Sequence, residues 1–145
     1  MVHQDAGHYA DKHPDGKIDK KIAGAIGLKE RLGRITCVAA HVIAKKLGCA
    51  PEKVGMNIDL LEKRIRRCQL GLFGYDRKKT KWVKPAAMVT EKLETAIRGA
   101  MDGDRLTCQA AWDLAKKMNL TKLEVSSACE ALGIKISDCQ LGAFK

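Results

Sequence analysis

The side chains with the most chemistry to offer in this sequence are cations. Lys and Arg number 27 against 17 Asp and Glu, a net charge of +10 over 145 residues. Clustered Lys and Arg neutralise phosphates and release condensed counterions, which supplies most sequence-independent affinity for nucleic acid. The candidates fall in three groups: Lys45, Lys46 and Lys53 with Asn57; Arg64, Arg66 and Arg67; and Arg77, Lys78, Lys79 and Lys81. Among them Asn57 is suited to reading a base edge, through its paired donor and acceptor. The distribution is lopsided. Residues 1–88 carry 19 Lys and Arg against 9 Asp and Glu, whereas residues 89–145 carry 8 of each. The excess charge belongs to the front of the chain, which reads as a polyanion-facing part joined to a part with another role.

Other reactive side chains make poorer patterns. His3, His8 and His13 lie five residues apart in a polar stretch, a spacing that does not put them on one helical face, so a polar arm is expected there rather than a metal site. The six cysteines, Cys37, Cys49, Cys68, Cys108, Cys129 and Cys139, include no C-x-x-C pair. They read as reduced thiols acting as small buried hydrophobes, with a redox pair or a metal site as alternatives. No phosphate-binding loop, zinc-protease helix, nucleophile elbow or dinucleotide fingerprint is present, so no enzyme, metal or cofactor is expected. No apolar run approaches the length of a membrane span, and the first fifteen residues have no apolar core of a secretory signal; a cytoplasmic protein is expected.

The elements that position these residues come in two copies. Displaced by 71 residues, Arg34-Ile-Thr-Cys-Val-Ala-Ala40 falls on Arg105-Leu-Thr-Cys-Gln-Ala-Ala111, and Cys68-Gln-Leu-Gly-Leu-Phe73 on Cys139-Gln-Leu-Gly-Ala-Phe144. Over residues 34–73, 16 of 40 positions are identical without a gap. Two copies are too few for a solenoid, and a pseudo-symmetric pair of small domains fits better.

Within each copy, apolar residues recur at three- and four-residue spacing. The first copy predicts helices over about 18–31, 37–47 and 51–62, then an extended segment from near Arg64. In the second copy Pro85 is placed to open a helix, Asp102-Gly103-Asp104 to break it, Thr107 to cap the next, and Gly133 to stop the third. Ile134-Lys135-Ile136 alternates as a strand should. Helix, short strand, helix, turn, helix, strand is the order of a winged helix. The stretch Ile43-Ala-Lys-Lys-Leu-Gly-Cys-Ala-Pro-Glu-Lys-Val54 resembles the helix-turn-helix superfamily of bacterial regulators. That resemblance implies a tight turn at Gly48, with Asn119 in its place in the second copy. The expected architecture is mainly α, two tandem winged-helix-like repeats with short β strands.

After Phe73 the chain continues through Gly74-Tyr75-Asp76-Arg77-Lys78-Lys79-Thr80-Lys81-Trp82-Val83-Lys84. Two β-prone stretches flank a polar tip, which reads as a hairpin, the wing, with Trp82 as its hydrophobic foot. The expected division is an arm over 1–17, a winged repeat over 18–84 and a wingless repeat over 85–145. With Val54, Ile58, Leu61 and Ile65 inward, the third helix would present Glu52, Lys53, Gly55, Met56, Asn57 and Asp59 outward. Its counterpart would present Lys122, Glu124, Ser126, Ser127 and Glu130. Two carboxylates on the reading face argue against a strict sequence reader and for backbone or wing-led contact. The expected role is a non-enzymatic nucleic-acid-binding regulator, with DNA ahead of RNA and a homodimer through the second repeat. The alternative is a protein-docking module that uses the soft Gly55–Met56 surface and the neutral second copy.

Overall fold

The computed structural model describes residues 8–75 and 81–145. The described chain is mainly helical, with a few short strands. A 3-10 turn, Tyr9–Lys12, precedes α1 (Lys20–Lys29), β1 (Arg34–Thr36), α2 (Cys37–Leu47), α3 (Pro51–Leu60) and β2 (Arg64–Arg66). The same order returns as α4 (Glu91–Ala100), β3 (Arg105–Thr107), α5 (Cys108–Met118), α6 (Lys122–Leu132) and β4 (Lys135–Ser137).

Local chemistry sets the helix ends. The Asp19 carboxylate accepts from Lys21 N–H and Ile22 N–H, so α1 begins at Lys20 rather than Ile18. Thr36, Thr107 and Thr121 each accept from the N–H three residues on, which opens α2, α5 and α6. Thr90 does the same for α4. The helix expected from Pro85 therefore starts at Glu91, and Ala86 N–H instead donates to the Ser127 carbonyl. A capped Thr outcompetes a Pro followed by two Ala, because it satisfies a helix-end N–H that would otherwise be orphaned. Gly48 and Asn119 end α2 and α5 at φ 66 and 55, so the left-handed turn is kept in both copies.

The strands pair in parallel. Arg34, Ile35 and Thr36 face Arg64, Ile65 and Arg66, and Arg105, Leu106 and Thr107 face Lys135, Ile136 and Ser137. Parallel pairing needs a crossover, here the two helices between the strands, whereas a hairpin would pair antiparallel. Among the described residues no strand lies in 70–75 or 81–84. Where the strands of the wing were expected, the Gly71 carbonyl accepts from both Trp82 N–H and Val83 N–H, at 2.9 and 3.0 Å. The two donors converge on one acceptor, so no ladder runs on from it. The tip with Arg77, Lys78 and Lys79 lies outside the described residues.

The chain forms two compact units, which cut it at Cys68 rather than between Lys84 and Pro85. The first holds residues up to Cys68 together with Gln140–Phe144; the second holds Gln69–Cys139 and Lys145. Each unit thus contains the Cys-Gln-Leu-Gly tail of the other repeat from its Gln onward. Ile26, Ile35, Val54, Ile58 and Leu141 are buried in the first unit, and Leu70, Ile97, Leu106, Val125 and Cys129 in the second. Full burial of one such aliphatic side chain contributes about 1.5–3 kcal/mol.

The tail is seated against the third helix. In the second unit the Ser126 hydroxyl on α6 donates to the Leu70 carbonyl at 2.6 Å. In the first, Gly55 occupies the matching place on α3, and a Cβ there would lie 1.7 Å from the Leu141 carbonyl oxygen. Gly55, Asn57 and Asp59, expected to face outward, are all buried, and so is Ser126. The helix is covered on more than its apolar stripe: by the tail at Gly55, by Asp19 N–H at Asn57, and by the arm at Asp59. The arm itself is anchored from His8 onward. Tyr9 N–H and Ala10 N–H donate to the Glu62 carboxylate at 3.0 and 2.9 Å, and His13 and Lys12 reach Asp59 at 2.8 and 3.1 Å.

Candidate nucleic-acid interface

The first unit carries an edge of arginines made by the short sheet. Arg34 and Arg64 are Cα partners in the parallel pair, so their chains stand about 4.8 Å apart. Arg31 is tied to Arg34 by two backbone hydrogen bonds, Arg31 N–H to the Arg34 carbonyl at 2.8 Å and the reverse at 2.9 Å. Arg64 N–H donates to the Gly33 carbonyl between them. All three side chains are exposed, and among the described residues no carboxylate pairs with any of them. Like charges on facing strands cost roughly 0.2–1 kcal/mol, which an anion laid across them would reverse. The nearby acid, Glu30, turns to Lys63 at 3.8 Å and accepts from Gly33 N–H.

The second unit repeats this backbone with different charges. Asp102 and Arg105 exchange the same pair of backbone bonds, and Arg105 faces Lys135. An acid therefore occupies the position of Arg31. Arg31 and Arg34 were not in the candidate set drawn from the sequence. The repeat alignment held the signal, since it sets Arg31 against Asp102, but the two residues are brought to Arg64 by a strand pairing that spacing alone does not reveal.

The remaining candidates are placed as follows. Arg66 continues β2, half-buried, opposite Thr36, and Arg67 is exposed just beyond at φ 52. Lys45 and Lys46 are exposed in the last turn of α2, about 14 Å along the helix from β1. Lys53 stays exposed but leans to Asp19, 3.6 Å away. Asn57 leaves the set: it is wholly buried, accepts from Asp19 N–H at 2.8 Å and donates to the Lys53 carbonyl at 2.9 Å. Lys81 belongs to the second unit and is engaged with Glu130 at 2.6 Å. Trp82 is not a buried foot, being 60% exposed and stacked on Tyr75.

Other chemistry is sparse. Among the described residues no three His, Cys, Asp or Glu converge as metal ligands. No disulfide joins the cysteines; Cys37, Cys68, Cys108 and Cys129 are buried, Cys49 and Cys139 half-buried. Burial, helped by neighbouring Glu130, pushes the Cys129 thiol up to about 11 and makes it a poor nucleophile. The Ile22 N–H, followed by Lys21 N–H and Lys53, holds the Asp19 carboxyl below the ordinary carboxylate range. No helix among the described residues is long and apolar enough to cross a membrane. No protein family, curated protein or solved structure matches the chain.

Proposed function

We propose that the chain is a small non-enzymatic nucleic-acid-binding protein built on two winged-helix-like repeats, with the first unit making the contact. The observation that carries the reading is the trio Arg31, Arg34 and Arg64, held side by side by backbone bonds and paired with no carboxylate among the described residues. Arg66 extends it along β2, Arg67 follows just beyond the strand, and Lys45 and Lys46 add charge at the far end of α2. Guanidinium groups hydrogen-bond phosphate oxygens in pairs, so an arginine row suits a phosphodiester backbone more than single carboxylates. The contact reads backbone rather than sequence, because the third helix keeps Asn57 for the interior. The burial of most cysteines as thiols fits a reducing compartment such as the cytoplasm.

The test is fluorescence anisotropy with labelled duplex and single-stranded oligonucleotides between 50 and 200 mM salt. Replacing Arg31, Arg34 and Arg64 together by Ala should weaken binding at low salt and flatten the logarithmic salt slope by about 2–3. Arg31→Asp, which gives the first repeat the charge of the second, should account for a large part of the loss. Unchanged affinity and slope in the triple variant would remove the arginine edge from the function.

A second reading, protein docking, is favoured by a separate observation. Leu28 and Leu32 are 87% and 99% exposed, and Val38 and Val42 are exposed four residues apart on α2. The second repeat has Gly99, Gly103, Gln109 and Asp113 at these positions, and the Gln109 amide donates to Asp113. The first repeat thus shows apolar side chains where its copy is polar or bare. Docking there would persist at 200 mM salt, where phosphate contacts fade.

A further inference from the structure

The second unit holds an aromatic pair in the open. Trp82 and Tyr75 stack with ring centroids 5.4 Å apart and planes 17° from parallel. An indole is ordinarily a core or interface side chain, yet this one is 60% exposed. Its backbone is fixed nevertheless. The Gly71 carbonyl accepts from Trp82 N–H and Val83 N–H, and Val83 is buried as an anchor beside it. Gly71 itself permits the pinch, at φ 71 with the Val83 nitrogen 2.9 Å from where a Cβ would stand. Tyr75 backs the indole, so the exposed ring is presented on a firm footing. It borders an open groove of about 790 Å³ whose lining includes Lys81, Lys84, Pro85, Leu123 and Ser127. The Ser127 hydroxyl donates to the Lys84 carbonyl at 2.5 Å, which sets the rim of that groove.

We propose that the exposed Trp82 face, backed by Tyr75, is a stacking platform for an unpaired base, so that the strand this protein holds is single. The proposal rests on the nucleic-acid reading above and gives it a substrate class. Bases inside a duplex are already stacked on both faces and offer none to an indole, whereas unpaired bases do. Charge bears on the occupant: Lys81 and Lys84 line the groove with one carboxylate, Glu124, and Lys81 also reaches Glu130 at 2.6 Å. Lys84, exposed and in no ion pair among the described residues, is placed to meet a phosphate beside a base stacked on Trp82. A neutral peptide would use the ring and leave Lys84 unanswered.

The experiment uses the full chain in two forms. In a Trp112→Phe variant Trp82 is the sole indole, so its emission reports the platform directly. Titration with a twelve-residue oligothymidylate at 50 mM salt should quench that emission, while a twelve-base-pair duplex should not. By anisotropy, Trp82→Ala in the otherwise unaltered chain should bind the single strand about tenfold or more weakly, with duplex binding unchanged and Trp82→Phe recovering part of the loss. Single-strand binding without quenching, and undiminished in Trp82→Ala, would overturn the platform while leaving the arginine edge standing. Failure of both oligonucleotides to bind at all would sink both. Quenching by an oligoproline peptide and not by oligothymidylate would overturn the proposal in favour of a peptide groove.

Discussion

The Asn57 side chain accepts from Asp19 N–H and donates to the Lys53 carbonyl, and none of it meets solvent. A buried amide so placed ties the start of α1 to α3, and its loss leaves Asp19 N–H without its acceptor. Asn57→Ala should therefore destabilise the protein by about 1–3 kcal/mol, read as a lowered urea midpoint. The same variant should leave the salt slope of nucleic-acid binding unchanged at temperatures where the chain stays folded. A flattened slope would instead mark Asn57 as a phosphate contact. Ala128 stands at the matching place in the second repeat, where Thr90 rather than Asp19 caps the first helix. The Cys129 thiol offers a second check at this scale. With its ionisation raised to about 11, it should resist iodoacetamide at pH 8 in the native protein, while half-buried Cys49 and Cys139 react first. Early labelling of Cys129, located by mass spectrometry, would contradict its burial.

At the scale of elements, α1 depends on a carboxylate. Because the folded Asp19 ionises at lower pH than an unstructured Asp, its cap is at full strength above about pH 4 and is lost as pH falls through the lowered value. Asp19→Asn keeps an acceptor without the charge. The urea midpoint of the original chain should exceed that of Asp19→Asn at pH 6, and the gap should narrow toward pH 3; a gap constant with pH would exclude the charged cap. Caps of this kind were legible in the sequence in part. Thr107 and the turns at Gly48, Asn119 and Gly133 announce themselves by residue type, and the helix cores by their spacing. What spacing hides is how many sides of a helix are covered. Placing Val54, Ile58 and Leu61 inward assigns Gly55, Asn57 and Asp59 to solvent only if α3 has one neighbour face. It has several, since the tail, the α1 cap and the arm each claim one of those residues. The arginine edge was half legible: Arg64 and Arg66 stand out as cations, but Arg31 and Arg34 join them only through a parallel pairing across two helices. The strands expected on either side of the polar tip were misread, because β-prone residues there cannot distinguish a ladder from a chain pinched at Gly71.

At the scale of the whole molecule, the repeats do not coincide with the compact units. The tail that follows β4 completes the first unit, and the tail that follows β2 begins the second, so duplication has produced a reciprocal exchange that an alignment of the copies conceals. Gly55 and Ser126, 71 positions apart, are the two docking points, one through closeness and one through a hydroxyl. Gly55→Ala would drive a methyl group into the Leu141 carbonyl, and a backbone atom has little room to yield. Overpacking of this kind costs about 1–3 kcal/mol or more, whereas Ser126→Ala removes one hydrogen bond worth about 0.5–1.5 kcal/mol. Gly55→Ala should therefore be the more damaging of the two in urea unfolding, although on an ordinary surface helix that substitution stabilises by helix propensity. The mechanism is checked by coupling. In a chain shortened after Cys139 the tail no longer faces Gly55, and Gly55→Ala should cost nothing there or stabilise slightly. Equal destabilisation in the full and shortened chains would mean that Gly55 is needed for some reason other than the tail, and the exchange would lose its energetic evidence.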